Sequence, residues 1–167
     1  WGIGKQVFLL ASRLHAMFGL SVREDEPSKV LMGSAVLRHY TVGGEEYQPD
    51  AWFGIRDRDD ELVLPVTDSA FLESFERCFD LTRRNETGLS VVVPCPDDRL
   101  NHDDLVRAVL RNFFWPILRD ELTVQLKSAE KEHKINRTNI LDHATAVFCG
   151  DPDMHAVMQL ASWASSL

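Results

Sequence analysis

The sequence predicts an α+β fold: a mixed or antiparallel sheet with helices packed on one face, and a helical C-terminal tail. Three observations predict it. Strand-period and helix-period segments follow one another without a regular strand-helix-strand repeat. Two helices open at clear capping residues, Asp68 and Asn101. A continuous apolar run, Leu89 to Val93, lies between a polar loop and Pro94-Cys95-Pro96, as a buried strand does.

Each element has its own warrant. In residues 5–18 Val7, Leu10, Ala11, Leu14, Met17 and Phe18 fall at helical spacing, and Gly19 is a plausible stop, so an amphipathic helix is expected. Val30, Met32, Val36, Tyr40 and Val42 share one strand phase, which predicts a long strand over 30–42. Gly43-Gly44 is a turn signal, Ala51 to Arg56 a partner strand, and Leu62 to Leu64 a short strand. From the Asp68 cap, Phe71, Leu72, Phe75 and Phe79 mark the buried side of a helix. The helix over 102–118 is the clearest: Leu105, Val106, Val109, Leu110, Phe113 and Ile117 form a stripe, and Asp103 and Asp104 suit its positive N-terminus. Pro116 is expected to kink or end it. Leu122, Val124 and Leu126 alternate with polar residues as a half-exposed strand. Residues 127–134 read as a solvated charge run, and two weaker helices, over 139–148 and 152–164, close the chain.

Composition removes several functions. The chain has 167 residues, 44% of them apolar and 26% charged, an ordinary globular mix. Eighteen Lys and Arg against 26 Asp and Glu give a net charge of −8. That charge argues against broad contact with phosphate backbones, and Glu130 and Glu132 interrupt the modest basic stretch of Lys127, Lys131, Lys134 and Arg137. Nucleic-acid binding through this segment is therefore not expected. No apolar run is long enough to span a membrane, and no signal peptide is visible. Cys78, Cys95 and Cys149 are odd in number and far apart, which points to reduced thiols and a cytoplasmic setting. The chain starts at Trp1 and is read as a piece of a longer protein.

Two segments could carry chemistry. Gly2-Ile3-Gly4-Lys5 leads straight into a helix. Glycine lets the backbone turn tightly, and a helix N-terminus offers free N–H groups and partial positive charge to a phosphate. Lys5 adds a point charge there. The second segment runs from Glu86-Thr87-Gly88 through Leu89-Ser90-Val91-Val92-Val93 to Pro94, a loop, a strand and a stop. Other constellations are bland. The six histidines show no metal-type spacing and are read as surface or capping residues, and Asp57, Asp59, Asp60 and Glu61 as a solvated turn. No Gly-x-Ser-x-Gly elbow supports a serine hydrolase. Gln6 stands where a P-loop NTPase needs Ser or Thr after its Lys.

Taken in order, these segments resemble the GHKL nucleotide-binding superfamily of gyrase B subunits, Hsp-type chaperones, histidine kinases and MutL proteins. There a glycine-rich phosphate loop opens a helix, a strand pair follows, and a Gly/Thr segment comes on a central strand. Gyrase-like members continue with a Pro-Asp turn, a long helix and a strand. This chain shows Gly2-Ile3-Gly4-Lys5, Thr87-Gly88 before Val91-Val92-Val93, then Pro96-Asp97, the helix from His102 and the strand over 121–126. The resemblance covers about residues 1–126 and rests on order, since no motif in it is long. It implies a partial Bergerat-like ATP-binding fold, the C-terminal part of that domain and a following segment over 1–127, and a helical extension over 128–167. It further implies a phosphate loop of Gly2, Ile3, Gly4, Lys5 and Gln6, and an adenine-edge hydroxyl on Thr87 or Ser90. The family order is Gly-Thr where this chain has Thr87-Gly88. The cofactor that the resemblance implies is ATP with Mg. The family's catalytic Glu, Mg-binding Asn and adenine-binding Asp precede the phosphate loop, so no catalytic residue and no metal ligand are assigned here. ATP hydrolysis is expected of a full-length parent, with the nucleotide state relayed to another domain, a protein partner or a second subunit. The alternative reading is a non-enzymatic protein-interaction domain using the acidic surface, Phe113-Phe114-Trp115 and the two C-terminal helices.

Overall fold

The computed structural model describes residues 3–24, 28–57, 62–83 and 86–164. The chain is α+β, with antiparallel pairing in every sheet. It divides into two compact units, Trp1–Asp97 and Asp98–Leu167.

In the first unit, α1 (Ile3–Ala11) precedes β1 (Ala16–Val22) and β2 (Lys29–Val36). The helix expected over 5–18 therefore ends seven residues early. At Ser12 the side-chain oxygen receives the Leu14 N–H at 3.2 Å, and His15 takes a φ of 49°. The chain reverses there, and Ala16, Met17 and Phe18 enter a strand. Their apolar spacing fits either period, and pairing across the sheet decides it.

The long strand expected over 30–42 is two strands. β2 stops at Val36, and the Leu37 N–H goes to the Pro49 carbonyl at 2.7 Å. β3 (Tyr40–Val42) then pairs with β4 (Glu45–Tyr47) around Gly43-Gly44, where φ values of 61° and 91° suit glycine. Tyr40 and Tyr47 stack across this hairpin, their ring centres 5.1 Å apart. β5 (Asp50–Phe53) joins β2, while β6 (Ile55–Arg56) and β7 (Val63–Leu64) form their own pair. α2 (Ser69–Cys78) starts at Asp68, whose carboxylate accepts the Phe71 N–H at 2.8 Å.

The main sheet, with β8 (Gly88–Val92), runs β5-β2-β1-β8. Register places Leu20 opposite Leu31 and Ser90, and Phe18 opposite Gly33 and Val92. That face meets Leu72 and Phe75 of α2 in one core with Val66. A Cβ on Gly33 would lie 2.6 Å from the Phe18 ring and 2.9 Å from the Phe53 Cβ, so glycine leaves the space those rings occupy. Lys29 and Glu76, both nearly buried, pair at 2.7 Å and tie β2 to α2.

The second unit is built on α3 (His102–Leu118), capped by Asn101, whose side-chain oxygen accepts the Asp104 N–H at 2.9 Å. Pro116 does not end it. The helix continues to Leu118 because Ile117 and Leu118 are buried beneath it, which outweighs the one intrahelical bond that proline cannot donate. α3 closes with Asp120 at a φ of 62° and the Glu121 N–H on the Pro116 carbonyl, and α2 closes alike with Asp80 at 49° and Leu81 on Glu76. In both, an aspartate occupies the left-handed position where glycine is usual.

β9 (Val124–Lys127) and β10 (Glu132–Ile135) pair as a hairpin. The charge run over 127–134 thus contains the last residue of β9 and the first three of β10. His133 and Ile135 face inward while Glu132 and Lys134 are exposed, a two-residue alternation that the density of charge conceals. This hairpin spans residue 127, so the second unit runs across the boundary expected there. α4 (Ile140–Val147) and α5 (Pro152–Ala164) complete the unit. Five α3 residues, Val106, Leu110, Phe114, Ile117 and Leu118, share a core with Ile135, Ile140, Ala144, Phe148 and Met158.

Candidate functional site

The glycine segment becomes the opening turn of α1. Gly2 lies outside the described residues, and Ile3, Gly4 and Lys5 form the first helical residues, followed by exposed Gln6. The first four N–H groups of a helix have no acceptor inside it. No acidic residue stands in this turn to repel an anion. Residues 3–6 therefore present a helix N-terminus with no acidic side chain in its first turn. Asp59, Asp60 and Glu61 also fall outside the described residues.

Thr87 and Ser90 stand on one segment but in different surroundings. Thr87 is exposed before β8, and its carbonyl accepts the Arg83 guanidinium at 3.4 Å. Gly88 follows with a φ of 141°, and any side chain there would strike that same guanidinium. Ser90 is half-buried on β8, on the face shared with Leu20 and Leu31. β8 is an edge strand of the sheet, not a central one as the resemblance implies.

What joins the two segments is Ser12, which sequence reasoning missed. Its hydroxyl is buried and donates to the Pro94 carbonyl at 2.6 Å. Beside it the Arg13 N–H reaches the Cys95 carbonyl and the Asp97 N–H reaches the Ala11 carbonyl, each at 2.9 Å. The far end of α1 is thereby fastened to the chain leaving β8. A serine after an apolar helix is an ordinary sequence feature, so only the fold, closing 82 residues, reveals it.

A second cluster lies in the other unit. His102 Nε2 and His133 Nδ1 are 2.7 Å apart, and the His143 ring stands 5.6 Å from that of His133. All three are half-buried, and His102 is the first residue of α3. Asp103 beside them accepts Lys131 at 2.9 and 3.0 Å, and that bond with the Lys131 charge holds its carboxyl below the usual range. Among the described residues no three His, Cys, Asp or Glu gather as a metal-ion shell. None of the described helices is long and apolar enough to cross a membrane. No family model, no curated protein and no solved structure matches this chain.

Proposed function

We propose that the chain is the ATP-binding region of a GHKL-type ATPase, with residues 2–6 as its phosphate loop. The supporting observation is that residues 3–6 form a helix N-terminus free of acidic residues, on a helix whose other end is bonded to the exit of β8. In this reading the N–H groups of Gly4, Lys5 and Gln6 hold the terminal phosphates and Lys5 adds charge. Thr87 or Ser90 orients the base through its hydroxyl. Bound ATP with Mg supplies the phosphoryl group to be hydrolysed, and the carboxylate that activates water and the Mg-binding Asn belong to the region upstream in the family. The Ser12 link then carries a shift of α1 to Pro94-Cys95-Pro96, and so toward the next domain or subunit.

A protein-interaction domain is the second reading. It is favoured by α5, where Val157, Leu160 and Trp163 recur at helical spacing and are all exposed. Calorimetric titration of Mg-ATP and ADP into the native protein separates the two. Micromolar binding, weakened about tenfold by Lys5→Ala (on the order of 1.4 kcal/mol), supports the ATPase reading. Absence of nucleotide binding overturns it in favour of the interaction domain.

A further inference from the structure

We propose that His102, His133 and His143 form a pH-operated latch that holds the β9–β10 hairpin to α3 and α4 at neutral pH and releases it in mild acid. The three rings come from three elements: the first residue of α3, the second of β10 and the middle of α4. A 2.7 Å contact between two ring nitrogens requires a proton on one and a lone pair on the other. The pair holds as two neutral rings or with one added proton. A second added proton sets N–H against N–H, and the contact is lost.

The surroundings bias the response. Asp103 attracts positive charge on His102 and His133, but Lys131 is already bonded to it. The Asp104 carboxylate accepts the Asn101 side-chain amide, and Glu132 accepts Gln125. Lys134 on β10 and Asp142 on α4 are exposed. Charge on His102 at the head of α3 opposes the helix dipole. Charge on His143 adds a third cation 5.6 Å from His133. Histidine is the side chain whose charge changes most readily between neutral and mildly acidic pH. Release exposes the hairpin, whose Ile135 is fully buried when the latch is closed.

The test is amide hydrogen exchange in the full chain at pH 7.5 and 5.5, corrected for the intrinsic pH dependence of exchange. Protection in Val124–Lys127 and Glu132–Ile135 should fall about tenfold while residues 16–36 do not change. His102→Gln and His133→Gln, which take up no proton, should each remove that fall. An equal fall in both variants, or none in the native chain, overturns the latch. Imidazole NMR of the native chain gives a reading that needs no variant. Loss of protection should track double protonation of the His102–His133 pair; tracking the carboxylates instead also overturns the proposal.

Discussion

In residues 98–167 one helix supplies half of a continuous core, whereas in residues 1–97 a sheet is sealed on one face by a single short helix. The register shows what that leaves over. Leu20, Leu31 and Phe18 face α2, while Met17, Gly19, Met32, Val91 and Leu89 face the other way. None of the fully buried described residues lies on that second face, and Trp52 and Leu89 there are 61% and 59% exposed. Apolar area removed from water is the main stabilising term in both units. The second unit should therefore be the firmer, and the unit that carries the proposed nucleotide segments the more yielding.

The largest effects should come from the two cores. Leu110 and Leu31 are both fully buried. Leu110→Ala should cost about 3–4 kcal/mol and Leu31→Ala about 2–3 kcal/mol, because the thinner core collapses more easily around a cavity. Hydrogen exchange assigned to each unit checks this. Equal costs, or loosening of both units by either substitution, would break the comparison.

A smaller effect sharpens it within the first unit. Ser12→Ala leaves the Pro94 carbonyl without its buried donor and should cost about 1–2 kcal/mol. The loss should appear as faster exchange in α1 and at Cys95 to Asp97, with α3 unchanged. A loss confined to α1 would show that the link to the β8 exit carries no stability.

The smallest effect is electrostatic. The Asp103 carboxyl is held below its ordinary value, so its pairing stabilises the second unit fully above about pH 4 and is lost as pH falls through the lowered value. Lys131→Ala should erase this acid-side contribution with little change at pH 7, and moderate salt should do much the same. Acid unfolding at low and moderate salt checks it. Its range lies below pH 5.5, the lower end of the exchange test of the histidine latch, so the two responses are separable.

How far the sequence carried differs between the units for a physical reason. α2 and α3 were legible because Asp68 and Asn101 cap them and their stripes are long. β1 was not, because Ala16 to Phe18 continue a helical stripe and only pairing with β2 and β8 makes them strand. β10 was hidden because alternation is hard to see when Glu132 and Lys134 flank His133. At the candidate site, the glycine-lysine start was legible as local chemistry. Ser12 and the three histidines were not, because their partners lie 82, 31 and 10 positions away and no local rule joins them.

The most direct measurement is amide hydrogen exchange of the native protein with and without millimolar Mg-ATP. The account predicts at least about tenfold slower exchange at the N–H groups of Gly4, Lys5 and Gln6, with unchanged exchange in α3. Unchanged exchange at those three amides under saturating nucleotide would contradict it.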